Sequence, residues 1–147
     1  MRVSVIGASA PTDAAVADAR EVGRLLAERG HTVVCGGLGG VMEAACRGAS
    51  ETGGRTIGIL PGEDRRAANE YVDTAVATGI GHARNALVVL NGDAVIAVDG
   101  AGGTLSEVGF SSVYDRPIAG LDAPDAPHVE AVETPAEAVD YVETRVE

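Results

Sequence analysis

The residues best suited to chemistry lie where a buried strand gives way to a glycine turn and then to a helix. The run Asp93–Val98 predicts the strand, and Thr104 is expected to open the helix, with Glu107 one turn further on. The turn between them is rich in glycine, with Gly100, Gly102 and Gly103. Such a helix start presents unpaired N–H groups and partial positive charge, and glycines let an anion approach closely. The stretch therefore predicts a phosphate-binding turn.

Glu107 admits two interpretations. The segment from Thr104 to Glu107 has the spacing of a capping box, in which the carboxylate bonds back to the N–H of Thr104. Alternatively, a carboxylate beside a phosphate cradle stabilises positive charge on a ribose or positions water when an N-glycosidic bond breaks. Arg84 falls in the first turn of a predicted helix, where a cation opposes the helix dipole unless an anion is near. That anion would be Glu107, a ligand phosphate, or both.

Two further glycine turns follow predicted strands. The run Arg2–Gly7 predicts the first strand, and the loop after it carries Ser9. The run His31–Cys35 predicts the second, and it is followed by Gly36, Gly37, Gly39 and Gly40. Because the carboxyl ends of parallel strands line one edge of a sheet, all three turns are expected to meet there and form one site.

The alternation of strands and helices predicts a single Rossmann-like α/β domain over residues 1–147. We expect a doubly wound, mainly parallel sheet of six to seven strands with helices on both faces. The run Tyr71–Val76 predicts a short fourth strand. The helix that begins near Arg84 is expected to turn its apolar residues inward, namely Ala86, Leu87 and Leu90.

Composition narrows the class of protein. The formal net charge is -11, which argues against a broad nucleic-acid surface. No apolar run is long enough to span a bilayer and no signal peptide precedes the first strand, so we expect a soluble cytoplasmic protein without membrane partners. All 11 basic residues are arginine. An acidic, lysine-free surface suits a high-salt, halophilic cytoplasm, although a GC-rich genome would explain the arginine bias equally simply.

Several other chemistries are disfavoured. The glycine turns do not form a complete GxGxxG motif, which disfavours a dehydrogenase. A Walker loop requires a lysine, and the chain has none, which disfavours an NTPase. A mononucleotide-sized ligand fits the turns better. Cys35 and Cys46 are not a CxxC pair and read as buried small hydrophobes, and no metal site is expected. His82 is a candidate ligand contact or a structural histidine. The polar loop 63–70 is a candidate lid, and its Arg65 and Arg66 would contact a ligand or remain solvated.

Four motifs together resemble one family. They are Gly36–Ala45, Thr56–Gly62, Gly81–Ala86 and Gly100–Glu107. The family is the short Rossmann-like group that contains the molybdenum-cofactor carrier proteins. Its wider relatives include the Lonely Guy phosphoribohydrolases, often mislabelled lysine decarboxylases, and the DprA-like proteins. The resemblance covers most of residues 2–121.

The phosphoribohydrolase signature PGGxGTxxE is matched in part. Gly100, Gly103, Thr104 and Glu107 agree with it, whereas Asp99 replaces the proline and Ala101 replaces the second glycine. The resemblance implies that the family's catalytic arginine and glutamate fall on Arg84 and Glu107, while Asn85 stands where the family has lysine. It also implies a homodimer or homotetramer, with the helices after Gly81 and Thr104 near the interface.

These arguments predict a nucleotide-type ligand-binding protein whose ligand is a phosphorylated nucleoside or the molybdenum cofactor. The alternative is a phosphoribohydrolase that cleaves nucleoside 5′-monophosphates, with Arg84 and Glu107 as catalytic residues and no cofactor required. A third hypothesis is an interaction module with a vestigial pocket. The expected binding residues are Gly7, Ser9, Gly36, Gly37, Gly39, Gly40, Arg84, Asn85, Gly100, Gly102, Gly103 and Thr104.

Overall fold

The chain alternates strands and helices along most of its described length. The structure is a computed structural model that describes residues 1–146. No helix in that range combines the length and apolarity needed to cross a lipid bilayer. The elements are β1 (Arg2–Gly7), α1 (Asp13–Glu28), β2 (Thr32–Cys35), α2 (Val41–Glu51), β3 (Thr56–Leu60), β4 (Thr74–Ala77), α3 (Arg84–Leu90), β5 (Ala94–Val98), α4 (Gly102–Val113), β6 (Ile118–Leu121), β7 (Val129–Ala131) and α5 (Pro135–Arg145).

All seven strands are parallel and lie in the order β4-β3-β2-β1-β5-β6-β7. The chain builds the sheet outward from β1 to β4, and β5 then returns to pair with the other side of β1. The direction of winding therefore reverses between β1 and β5, the position where open α/β sheets form a crevice. Gly7 pairs in register with Val98, so the turns after these two strands begin level with each other. The predicted doubly wound parallel sheet is confirmed.

Helices cover both faces of the sheet because the strand residues alternate in direction. In β1, Val3 and Val5 join the core beneath α1, α2 and α5, whereas Ile6 joins the core beneath α3 and α4. Both cores consist of Val, Ile, Leu and Ala with little aromatic content. The predicted layers on both faces are confirmed.

Small residues let α1 and α2 pack closely on their shared face. A Cβ atom added to Gly23 would lie 2.0 Å from the carbonyl oxygen of Ala45, and one added to Gly48 would lie 1.9 Å from that of Arg20. At its amino end, α1 is capped by Thr12, whose hydroxyl accepts from the Ala15 N–H. The close packing fixes where the loops before these two helices lie.

Two local predictions are wrong. The fourth strand is Thr74–Ala77 rather than 71–76, because the carbonyl of Tyr71 accepts a hydrogen bond from the Thr56 hydroxyl in the approach to the strand. In α3, Leu90 is exposed and Val88 and Val89 are fully buried. Residues four apart share a helix face, so the buried Arg84 and Asn85 bring Val88 and Val89 inward and turn Leu90 outward.

Candidate functional site

The three glycine turns meet in one cleft at the carboxyl edge of the sheet. The cleft has a volume of about 420 Å³ and lies over the ends of β1, β2 and β5. Eight of the residues predicted from the sequence line it, namely Gly7, Ser9, Gly36, Arg84, Asn85, Gly103, Thr104 and Glu107. The topology thus brings together residues almost a hundred positions apart in the sequence.

The other predicted glycines do not line the cleft. They are Gly37, Gly39, Gly40, Gly100 and Gly102. Gly40 has a φ of +70°, and a Cβ there would lie 2.3 Å from the carbonyl oxygen of Ala8. Gly100 has a φ of +131°, and its Cβ would lie 2.6 Å from the side chain of Thr104. These two glycines therefore shape the turns, because only glycine fits both the dihedral angle and the space.

The structure adds apolar residues that the sequence analysis did not select. These are Leu38 and Met42. The exposed His82, a candidate ligand contact from the sequence, also lines the cleft. Met42 lies beside Arg84, since a Cβ on Gly36 would be 2.7 Å from both the Met42 sulfur and an Arg84 guanidinium nitrogen. The sequence feature that could have identified Met42 is its position in the first turn of α2, directly after Gly39 and Gly40. The cleft therefore has a charged end and an apolar wall.

The lid residues lie elsewhere. Arg65 and Arg66 form a 3₁₀ turn, and both are exposed. The Arg66 guanidinium pairs with the carboxylate of Asp64 at 3.1 Å. Neither arginine lines the cleft, so this loop supplies no charge to it.

Arg84 is held by neutral acceptors. Its Nε donates to the carbonyl of Ile59 at 2.9 Å, one terminal nitrogen donates to the Gly36 carbonyl at 3.4 Å, and the other donates to Oδ1 of Asn85. These bonds use three of the five guanidinium N–H groups. Two N–H groups, one on each terminal nitrogen, are left to reach a ligand in the cleft.

The charge of Arg84 has no direct counter-ion in the described part of the chain. Arg84 is only 7% exposed, and it forms no ion pair within 4.0 Å with a carboxylate of residues 1–146. Burial lowers its pKa, and the charge of Glu107 offsets this in part. A buried cation without a paired anion is costly, so the arrangement favours the binding of an anion.

Glu107 lies in the same cleft and is 8% exposed. Burial raises the pKa of its carboxyl to about 7, and the positive charge of Arg84 acts in the opposite direction. At neutral pH the group therefore exchanges a proton readily, which suits either a general acid–base residue or a hydrogen-bond partner for a ligand.

The capping-box interpretation is wrong. Helix α4 begins at Gly102, with Ala101 at the cap position and no side chain capping it, so Thr104 is already the third residue of the helix. The helix starts after Ala101, whose backbone angles, φ of -143° and ψ of -142°, are not helical. The first-turn N–H groups of α4 are thus left for another acceptor. Added Cβ atoms at Gly102 and Gly103 would meet open space, so the approach to these groups is unobstructed.

Cys35 and Cys46 lie beneath the site. Both are free and fully buried, with their sulfur atoms 3.4 Å apart. Cys35 also accepts a hydrogen bond from the N–H of Gly37 at 3.3 Å. Together they pack under the second glycine turn. Within residues 1–146 no group of three His, Cys, Asp or Glu side chains is placed to hold a metal ion.

A family model for the SLOG cluster4 family matches residues 1–147. The chain belongs to the SLOG cluster4 family. Among relatives of this SLOG protein, an uncharacterized protein of Archaeoglobus fulgidus is 41% identical over 142 residues, covering 96% of this chain and 93% of the relative. The cytokinin riboside 5′-monophosphate phosphoribohydrolase of Mycobacterium tuberculosis is 34% identical over 131 residues, covering 82% of this chain and 70% of that enzyme.

Two solved structures of molybdenum-cofactor proteins are similar to the structure of this chain. The molybdenum cofactor binding protein of Rippkaea orientalis superposes with a TM-score of 0.94 at 31% identity, covering 99% of this chain and 97% of that one. The molybdenum cofactor carrier protein of Chlamydomonas reinhardtii gives a TM-score of 0.90 at 29% identity, covering 97% and 96%. The resemblance noted from the sequence motifs is confirmed.

Proposed function

We propose that this SLOG protein binds a phosphorylated, nucleotide-type small molecule in the cleft, as a carrier or binding protein. The observation that carries the proposal is Arg84, a buried cation with two unused N–H groups and no carboxylate within ion-pair distance in residues 1–146. A phosphate would supply the missing negative charge and accept hydrogen bonds from both N–H groups. Arginine suits this role because its planar fork matches phosphate oxygens.

The start of α4 would hold the same phosphate from the other side. Its first-turn N–H groups are not capped by a side chain, and Thr104, which carries a hydroxyl, lines the cleft beside them. A helix start of this kind favours an anion through its N–H groups and its dipole. The cleft volume of about 420 Å³ lies within the range of small-molecule sites.

The molybdenum cofactor is the leading candidate cargo. Support comes from the two solved structures named for that cofactor, which match this chain over nearly its full length. The residues present fit a phosphate group of such a ligand through Arg84, Gly103 and Thr104. Leu38 and Met42 offer an apolar wall for an uncharged ring portion.

A phosphoribohydrolase is the second candidate. The observation favouring it is the presence of Arg84 and Glu107 in one cleft, together with the relative from M. tuberculosis. Arg84 and the start of α4 would anchor the 5′-phosphate, and the Glu107 carboxylate would stabilise positive charge on the ribose as the bond to the base breaks. Water would then add to the sugar, giving free base and ribose 5-phosphate. Asp99 and Ala101, which replace signature residues, and Asn85, which stands where the family has lysine, weigh against this activity.

The purified protein would be tested at high salt with AMP, GMP, CMP, UMP and an N6-modified AMP. Chromatography would detect free base, and the melting temperature would report binding. Arg84→Ala removes the proposed phosphate contact, and Arg66→Ala removes an exposed arginine outside the cleft as a matched control. Binding without turnover, lost only in Arg84→Ala, supports the carrier, and the molybdenum cofactor would be titrated next. Free base supports the hydrolase. No interaction with these nucleotides or the cofactor would refute both.

We also propose that the protein self-associates through the α3 and α4 side of the sheet. Apolar side chains remain exposed there in the single chain, with Leu90 at 43%, Leu105 at 53% and Val113 at 71% exposure. Exposed apolar residues grouped on neighbouring helices are typical of an interface. The expected partners are therefore a phosphorylated small molecule and further copies of the chain, without nucleic acid.

A further inference from the structure

A chain of hydrogen bonds joins Arg84 to the first turn of α4. Arg84 donates to Oδ1 of Asn85. Asn85 donates from Nδ2 to the Ser106 hydroxyl at 3.1 Å, and Ser106 donates to the carbonyl of Gly103 at 2.7 Å. Gly103 and Thr104 are the residues in the first turn of α4 that line the cleft, and Glu107 lines it one turn further on. The chain thus connects the two parts of the site that face the ligand.

The hydrogen bonds run in a single direction. A guanidinium has no acceptor, so the Asn85 atom that faces Arg84 must be the amide oxygen. The amide nitrogen then faces Ser106, whose lone pair accepts while its own proton goes to Gly103. Asn85 is 4% exposed, so its amide cannot turn over without leaving the Arg84 donor facing another donor. The order of donors and acceptors therefore fixes the orientation of the Asn85 amide, whose oxygen holds one terminal nitrogen of Arg84.

We propose that Asn85 and Ser106 are positioning residues that hold the Arg84 guanidinium at a fixed place relative to the first turn of α4. The guanidinium and the N–H groups of that turn then bind the same phosphate. Ser106 does not line the cleft and lies on the exposed side of α4. It acts on the ligand only through Asn85 and Gly103. This inference rests on the proposed phosphate site and explains why an asparagine follows the arginine here.

The test compares affinities for inorganic phosphate and AMP by calorimetric titration. Ser106→Ala removes the hydroxyl that links Asn85 to Gly103, and Ser106→Thr keeps a hydroxyl at this position. Ser112→Ala, which changes an exposed serine of the same helix, is the matched control. We expect Ser106→Ala to weaken binding by about fivefold, the effect of one hydrogen bond, with Ser106→Thr and Ser112→Ala close to the wild type. Asn85→Ala should weaken binding as well, and the double variant should be little weaker than Asn85→Ala alone, because both changes break one chain.

A second readout is independent of ligand. The side-chain ¹⁵N–¹H signals of Arg84, assigned by their loss in Arg84→Ala, should shift in Ser106→Ala and not in Ser112→Ala. Unchanged signals and unchanged affinity in Ser106→Ala would overturn the positioning role, even if Arg84→Ala abolishes binding. If the wild type binds neither of these two probes nor the molybdenum cofactor, the proposed phosphate site fails. The positioning role would then be tested by the Arg84 side-chain signals alone. A shift in Ser106→Ala supports the role, and unchanged signals overturn it.

Discussion

Arg84 and Glu107 face the same cleft with opposite charges but do not form an ion pair. Arg84 is bonded to the carbonyls of Ile59 and Gly36 and to the amide of Asn85, which hold its guanidinium away from the carboxylate. The two charges still influence each other, since each offsets in part the effect of burial on the other's pKa. A closed ion pair would have neutralised the site. The separation instead leaves a cation and a titratable carboxyl for a ligand.

The first prediction concerns Glu107 and pH. Its pKa is about 7 in the folded protein, against 4.5 for an ordinary glutamate. Between these values the folded state holds a proton that the unfolded state has released, so this group's contribution to stability falls as pH rises from about 4.5 to 7. Glu107→Gln removes the titration. We expect it to be as stable as the wild type near pH 4.5 and more stable at pH 8, by up to about 3 kcal/mol.

Denaturant unfolding at several pH values measures this difference. Glu130→Gln, an exposed change in β7, serves as the control and should leave the pH profile unchanged. If the stabilities of Glu107→Gln and the wild type stay parallel from pH 4.5 to 8, the carboxyl does not titrate in this window. Loss of stability in Glu107→Gln at all pH values would instead assign the carboxylate a structural bond.

The second prediction uses two glycines of the same turn. In Gly36→Ala the new methyl group would meet an Arg84 nitrogen and the Met42 sulfur at 2.7 Å, whereas in Gly39→Ala it would meet open space. Neither glycine has a positive φ. We expect Gly36→Ala to weaken AMP binding at least fivefold by displacing Arg84, and Gly39→Ala to have little effect. Equal affinities of the two variants, with both folded by circular dichroism, would contradict the placement of Arg84.

The third prediction isolates one hydroxyl. Thr104→Val keeps the branched shape against which Gly100 packs and removes only the hydrogen-bonding group that lines the cleft. A hydrogen bond to a charged group contributes about 1.5–3 kcal/mol, so we expect at least a tenfold loss in AMP affinity with little change in melting temperature. Thr104→Ser should bind as the wild type does. Undiminished binding by Thr104→Val would remove this hydroxyl from the site.

The fourth prediction concerns salt. The chain has a formal net charge of -11, and repulsion among its carboxylates is screened as ionic strength increases. We expect the melting temperature to rise by several degrees between 0.1 and 2 M KCl. The exposed ion pairs, such as Arg20 with Glu51, would weaken under the same conditions, but such pairs contribute little. A melting temperature that falls with salt would contradict the halophilic interpretation of the composition.

The fifth prediction tests self-association. Leu105 and Val113 lie on α4 and are more than half exposed in the single chain. Replacing Leu105 with Glu should shift the mass measured by light scattering toward the monomer, because a charge would be buried in the interface. Val76→Glu, on the edge strand β4 away from α4, is the matched control. A wild-type protein that is monomeric at micromolar concentration would refute the interface.

Much of the fold could be read from the sequence because its signals are local. Apolar runs that end in glycine specify strands followed by turns, and parallel pairing then brings those turns to one edge. Hence the doubly wound sheet and the gathering of Gly7, Gly36 and Gly103 at one cleft were predictable. Predictions from local patterns were wrong at two places. Backbone angles decided that α4 begins at Gly102, and burial of Arg84 and Asn85 decided which face of α3 packs inward.

The sequence by itself therefore determined the strand–turn–helix order, the acidic surface and the residue types available to the site. Only the tertiary structure decided how the charges of Arg84 and Glu107 relate, that Thr104 does not cap its helix, and that Ser106 is joined to Arg84 through Asn85. The reason is that burial and hydrogen-bond geometry depend on elements far apart in the chain. The spacing of residues along α3 cannot show that the carbonyls of Ile59 in β3 and Gly36 in the second glycine turn accept hydrogen bonds from Arg84.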